Sequence, residues 1–364
     1  MNNYSNSNFN IPQRESGNSY TPPSVPKTSP VCTTIFAAIF FVGSIFLPFP
    51  VSILLSAIGA ILTAKGFSAS STFLPILAPI PAVLICIFTN SYLELLIPIG
   101  GTLCAVAMFL TLKCKGNKTS AVIASTCVIL SICLILFVCF MYSSYSGISA
   151  DDFKELMDDL REAFAFFTEE YLKIIDETFE QIPDELPQKK LTQANVELWH
   201  ELLDDPDPLF ESFISILPGI FVLISNIFSY FMALIYFYLV RENTGHKVFA
   251  TSESSKLTIA VPGVILFAAG YFFLALSFFL PMPAVIGLNF VIIYTPALCI
   301  IGARSLLDPE LRRRNRILLF AAIAMLFFNP VLSFLLLGFM GANSIITQAM
   351  LNFIKKQSDR NNMD

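Results

Sequence analysis

The chain has 364 residues, of which 55% are hydrophobic and only 13% charged, with a net charge of −5 and a mean hydropathy of +0.69. Soluble domains carry about 25% charged residues, so this composition argues against a soluble globular domain, a secreted disulfide scaffold, a disordered chain and a nucleic-acid-binding domain. It describes an integral membrane protein.

Residues 1–30 are rich in Asn, Ser and Pro and hold too few apolar side chains to build a core, so a disordered cytoplasmic tail is predicted. Arg14 and Lys27 lead into an apolar run far longer than a signal-peptide core, with no small-residue cleavage pattern. From Thr28 to Leu93 the only charged residue is Lys65. Pro48 and Pro50 divide the start of this run into spans 31–48 and 50–64, because proline cannot continue a hydrogen-bonded helix. Ser52, Ser56, Ala60 and Ala64 recur every fourth position and form a stripe of small residues suited to close helix approach in lipid. A third span, 73–89, carries Pro75, Pro79 and Pro81 near its start and reads as kinked or partly re-entrant. Spans four and five, about 95–112 and 119–142, are separated by Lys113, Lys115 and Lys118.

The next segment is of another kind. Between Asp151 and Glu211 lie 19 of the 27 acidic residues and 5 of the 22 basic ones, a local balance of −14 against +9 for the rest of the chain. Phe153, Met157, Leu160, Phe164, Phe167, Tyr171 and Ile174 are spaced alternately by four and three, the pattern of a heptad seam. Ser149 is placed to cap the helix, with Asp151 and Asp152 in the first turn, where the helix dipole favours them. The helix should end near Gln181, before Pro183, and a shorter one from Thr192 to Leu203 offers Val196, Trp199 and Leu203 as a matching face. Residues 148–211 thus read as an acidic helical hairpin. Its seam can pack on the hairpin itself, or pair with a second copy or an envelope protein through residues 153–174.

Beyond the insert, a second membrane region (212–354) begins with span six, about 213–240, and a polar loop with Arg241, Lys247 and Lys256. Spans seven and eight follow, at about 258–280 and 283–303. The loop after them holds Arg312, Arg313, Arg314 and Arg316, read as a topology determinant that meets anionic lipid. The uncharged run Ile317–Ile354 of 38 residues would be about 57 Å long as one helix, too much for one span. A turn at Asn329-Pro330 would bring Lys355, Lys356 and Arg360, in a short polar tail at 355–364, back to the cytoplasm. A single span to Gly338 would leave them outside; the turn is the favoured alternative. The predicted fold is therefore all-α, a polytopic transmembrane bundle of about 8 to 10 spans with one extramembrane helical insert. Basic loops concentrate on the cytoplasmic side, so the N-terminus is expected inside a bacterial cell membrane and the acidic insert outside.

Chemistry-bearing patterns are sparse. The eight cysteines avoid the insert and are read as packing residues. The two histidines, His200 and His246, both fall outside the spans, and no zinc, phosphate-loop, dinucleotide or nucleophile-elbow motif occurs. No catalytic residue, metal or cofactor is expected, and no nucleic-acid partner; the lipid bilayer is the certain environment. Glu94, at the outer end of span four, is either an interfacial carboxylate reaching water or one facing an outward cavity. Asn226, Asn289 and Asn329 lie within spans, where interhelical hydrogen bonding is their commoner role and ligand binding the rarer one. Glu94, Asn226 and Asn289 are the candidate substrate-binding residues.

Five spans, the acidic insert, Leu217-Pro218-Gly219-Ile220 opening an aromatic-rich span that ends at Arg241, Pro262 starting the next, Asn289 within span eight, and a final Gly338, Gly341 and Asn343 together resemble the YybS-like family of uncharacterised multipass proteins of Gram-positive bacteria. The resemblance implies a distant likeness to substrate-binding subunits of energy-coupling-factor vitamin transporters, or to rod-shape membrane proteins, and supplies no catalytic residue. The expected function is a solute-binding or transporter-like membrane component. The alternative is a non-enzymatic envelope scaffold or regulator that binds a partner through the insert.

Overall fold

The computed structural model describes residues 29–48, 50–70, 73–91, 94–145, 147–180, 193, 196–197, 200, 203, 205–242, 245–277, 282–307, 320–321, 324–325 and 330–361. Residues 1–28, Pro183, Trp199, the cluster Arg312, Arg313, Arg314 and Arg316, and Asn329 lie outside the described residues. Among those described, the chain forms ten α-helices, one 3-10 turn and no strand. Their order is α1 (Pro30–Phe46), α2 (Val51–Ala69), the 3-10 turn (Leu74–Leu77), α3 (Ile80–Phe88), α4 (Leu96–Lys113), α5 (Lys118–Ser144) and α6 (Ala150–Glu180). Then come α7 (Asp207–Leu239), α8 (Val261–Leu276), α9 (Met282–Leu307) and α10 (Pro330–Asn361). Six helices are long and apolar enough to cross a membrane, and three apolar segments (Pro30–Phe46, Leu74–Phe88 and Val261–Leu276) are shorter. Six spans therefore stand by length among the described residues, against the 8 to 10 expected for the whole chain.

α2 is the central helix of the first half. Its small-residue stripe packs as the spacing suggests: Ser52, Ser56, Ala60 and Ala64 are all buried. The stripe lets the α4 backbone come close enough for Ser56 Oγ to donate to the Ile97 carbonyl at 3.1 Å. Ala57, Ala60 and Ala64 share one core with Cys104 and Met108 of α4 and with Met232, Tyr236 and Phe237 of α7. At one end of this core Ser68 Oγ and the Tyr236 hydroxyl are hydrogen-bonded at 2.7 Å. α2 runs through Lys65 to Ala69, five residues past the expected end. Lysine is a good helix former, and this end of the helix emerges where a half-buried ammonium can reach polar surroundings.

The second half packs through glycine. A Cβ on Gly287 would lie 2.6 Å from the Gly270 carbonyl oxygen and 2.9 Å from the Leu274 nitrogen, so α8 and α9 cross with their backbones touching. Gly302 of α9 and Gly341 of α10 form a second crossing of the same kind. α10 begins at Pro330 and continues without a break through the predicted tail to Asn361. It runs antiparallel to α8: Gly338 and Phe339 lie beside Phe267, Ala342 beside Val264, and Ile346, Met350 and Ile354 share a groove with Val261. The end of α10 therefore lies on the same face of the bundle as the start of α8.

α7 joins the two halves. Its 33 residues span about 50 Å, well over the roughly 30 Å of a bilayer core, and the surplus at its start carries Asp207 and Glu211. Pro218 sits inside it without ending it. A proline has no N–H to offer the carbonyl four residues back, and in the same turn Asn289 Nδ2 of α9 donates to the Ser215 carbonyl at 3.0 Å. Gly219 makes the approach possible, since a Cβ there would overlap the Asn289 amide oxygen. The third expected span is broken as its prolines suggest, into the 3-10 turn and the nine-residue α3.

Two backbone details set stability. α4 ends with Lys115 in the left-handed region at φ 59°, with Gly116 N donating to the Thr111 carbonyl at 2.8 Å and Lys115 N to Leu112 at 3.1 Å. This is the helix-ending motif that favours glycine. Lys115→Gly is expected to raise the melting temperature of the detergent-purified protein, and Gly287→Leu to lower it by several degrees by prising α8 from α9. Ile286→Ala, on the exposed side of the same helix, serves as the neutral comparison in the same thermal scan.

Candidate functional site

Three helix ends meet under one polar segment, residues 241–260. The main-chain N–H of Val248 donates to the Ser68 carbonyl of α2 at 3.1 Å, and that of Ala250 to the Val240 carbonyl of α7 at 2.7 Å. Lys118 N of α5 donates to the Ser254 carbonyl at 2.7 Å. Thr119 Oγ1 donates to the Thr258 carbonyl at 2.6 Å and accepts from Thr258 N at 2.8 Å, while Asn117 Nδ2 donates to Thr258 Oγ1 at 3.0 Å. Asn117 also caps α5, its Oδ1 accepting from Ser120 N. Within the loop, Thr251 and Ser254 each donate a main-chain N–H to the other's hydroxyl. One main-chain group at the end of each of α2, α5 and α7 is thus satisfied by this segment.

This arrangement defines the two ends of the bundle. Lys65, the Lys113–Lys118 stretch, the 241–260 loop and the end of α10 share one face, and Thr33 near the start of α1 lies against Gly66 on that face. α6 and the start of α7 lie at the other. Among the described residues the basic loops are therefore separated from the acidic insert in three dimensions.

On the acidic face α6 is capped as expected: Asp152 N donates to Ser149 Oγ at 3.1 Å, and Ser149 N donates to Asp152 Oδ2 at 2.7 Å. Hydrogen bonding to the charged form holds the Asp152 carboxyl below its ordinary range. The helix is anchored at its middle. Arg161 pairs with Asp207 of α7 at 3.2 Å and lies 5.5 Å over the Phe210 ring, Phe164 packs on Phe210 and Phe213, and the Tyr145 hydroxyl donates to Asp159 at 2.8 Å. The described residues of 193–203 are helical, and His200 Nε2 lies 2.8 Å from Asp176 of α6, consistent with a hairpin.

The covered face of α6 is not the predicted seam. Leu156, Met157, Phe164, Thr168, Leu172, Ile175 and Phe179 form the covered line, whereas Phe153, Leu160, Phe167, Tyr171 and Ile174 are exposed, Phe167 by 69%. A straight α-helix drifts by about 20° per heptad from a 3.5-residue repeat, so only Met157 and Phe164 belong to both lines.

The three candidate binding residues occupy three separate junctions. Asn226 of α7 accepts from Thr126 Oγ1 of α5 at 2.9 Å. Asn289 ties α9 to α7, its Oδ1 having no partner. Glu94 lies half-buried before α4, near Cys86 of α3. An open apolar groove of about 400 Å³ is lined by Val261, Ile346, Ala349, Met350, Phe353 and Ile354. All eight cysteines are free thiols, and no metal-ligand cluster occurs among the described residues. The docking of the loop and the burial of Lys118 and His246 beside it were not foreseen from the sequence, since nothing local in residues 241–260 marks them as packed. No family model, curated protein or solved structure matches the chain.

His246, buried under the loop, has its imidazole pushed below the usual histidine range by burial first and by Lys65 second. A lowered folded value means that the neutral ring's stabilisation is complete above the unfolded value of about 6.5 and is lost as pH falls through the folded one. Thermal scans from pH 8 to pH 5 are expected to show a steeper loss below pH 6.5 in wild type than in His246→Gln; parallel curves would remove His246 as the cause.

Proposed function

We propose that this is a non-enzymatic multipass protein of a bacterial cell membrane, anchored by its apolar helices with the basic face in the cytoplasm, whose acidic insert is a docking arm for another envelope protein. The observation that carries the reading is the exposed line Phe153, Leu160, Phe167, Tyr171 and Ile174 on a helix already fixed to α7. Acidic residues occupy the opposite side of α6, and the segment carries a balance of −14. Two such inserts repel each other, so charge complementarity favours a heterologous partner presenting an apolar helix edged by Lys and Arg. The solute-binding reading ranks second, because Glu94, Asn226 and Asn289 lie at separate helix junctions and both asparagines are hydrogen-bonded to neighbouring helices. Kinship with YybS-like proteins remains compatible with either reading.

The test places p-benzoylphenylalanine at position 167 of the full-length protein in cells and identifies the photo-adduct by mass spectrometry. The expected product joins residue 167 to a Lys- and Arg-edged helix of another membrane or envelope protein and disappears when Leu160→Glu is added. An adduct between two copies of this chain, adducts with lipid alone, or none at all would each contradict the proposal.

A further inference from the structure

α7 is supported at its two ends and bare between them. The insert grips its start: Arg161 pairs with Asp207 and stands over the Phe210 ring, and Phe164 packs on Phe210 and Phe213. The apolar core grips its end, from the Thr126–Asn226 hydrogen bond through Phe228 and Tyr236 to Val240. Between Phe210 and Ser225, all of them described residues, the one buried position of α7 is Gly219. Pro218, directly before it, cannot supply an N–H to the Ile214 carbonyl, so the helix lacks one of its own hydrogen bonds at this point. Proline within a helix is a common seat of bending, and a neighbouring glycine adds backbone freedom.

Asn289 of α9 closes on this bare stretch. A Cβ on Gly219 would overlap the Asn289 amide oxygen and lie 3.3 Å from its Cα. Asn289 Nδ2 donates to the Ser215 carbonyl at 3.0 Å and to the Val285 carbonyl of its own helix at 2.8 Å. The buried Oδ1 has no partner, and a buried acceptor left unpaired is costly. The contact is therefore an incompletely satisfied hold on the arm side of Pro218. Residues 145–149 join α5 to α6, with the exposed Tyr145–Asp159 hydrogen bond across the join; an exposed bond of this kind is exchanged for water at little cost.

We propose that α7 is jointed at Pro218-Gly219 and that Asn289 is the latch of the joint. With the amide on the Ser215 carbonyl, residues 207–217 and the insert fixed to them are held against α9. When that hydrogen bond opens, they pivot about Pro218 while residues 219–239 stay in the core, and Oδ1 gains access to water or to a new donor. Residues 207–217 span about 16 Å as a helix, so a pivot of about 20°, ordinary for a proline in a helix, carries the Asp207 end by about 6 Å. A ligand of the insert that favours the released position shifts the joint by its differential affinity for the two positions. The joint does not depend on which partner the insert takes.

Double electron–electron resonance on the purified full-length protein, spin-labelled at positions 163 and 238 in a cysteine-free background, reads the arm against the far end of α7. Ala163 and Tyr238 are both exposed. The protein with Asn289 intact is expected to give one narrow distance distribution, and Asn289→Ala a second population displaced by several ångströms. Asn289→Leu, which fills the space without a hydrogen bond, should act in the same way and serves if Asn289→Ala does not fold. Pro218→Ala added to either should restore a single population, because the helix regains its missing hydrogen bond. Thr126→Val, which breaks the Asn226 contact beyond the joint, should leave the distribution unchanged. An unchanged distribution in the Asn289 variants, an equal shift in Thr126→Val, or a split that survives Pro218→Ala would each overturn the proposal. No partner is present in this measurement, so its outcome stands apart from that of the photo-crosslink at position 167.

Discussion

A charged or unpaired polar group has no place in hydrocarbon, and every level of this fold follows from that exclusion. Charge is absent from the middle of the long helices and is sorted to their two ends, basic at one and acidic at the other. Several polar side chains that remain inside find partners on neighbouring helices, as Ser68 does with Tyr236, Thr126 with Asn226 and Asn289 with the Ser215 carbonyl. The same rule explains why the 241–260 segment is docked. It lies across the ends of α2, α5 and α7 and exchanges main-chain hydrogen bonds with all three.

With hydrophobicity spent on meeting the bilayer, helix association must come from close packing and from a few polar contacts. The two halves of the chain solve this differently. α2 presents serine and alanine to α4 and α7, whereas α8, α9 and α10 meet at glycine crossings where backbone touches backbone. α7 belongs to both. Its N-terminal surplus receives the acidic helix through Arg161, its Pro218 turn receives Asn289, and its end is held by the docked loop. One helix thus connects the acidic arm, the apolar core and the basic face.

The sequence carried some of this plainly and some not at all. The four-residue spacing of Ser52, Ser56, Ala60 and Ala64 is local information and correctly marks a packing face. The Ser149 cap is local too, and so is the proline-broken third span. The covered face of α6 was misplaced because an alternating four-three repeat describes a helix wound against a close partner over its length, whereas α6 is gripped mainly at its middle and follows its own 3.6-residue period. The loop docking was invisible because it depends on main-chain acceptors and on the Thr119–Thr258 pair, 139 residues apart. Asn226 and Asn289 were recognisable as polar residues inside spans, but only the fold shows that each spends its amide on a neighbouring helix.

The central claim is that the acidic insert and the docked basic loop lie on opposite sides of a membrane. It is tested most directly by single cysteines placed at Glu177 and at Ser252 in a cysteine-free background, labelled in intact cells with a membrane-impermeant maleimide. The account predicts labelling at 177 in intact cells and at 252 only after the membrane is permeabilised. Labelling of both positions in intact cells, or of 252 alone, would contradict it.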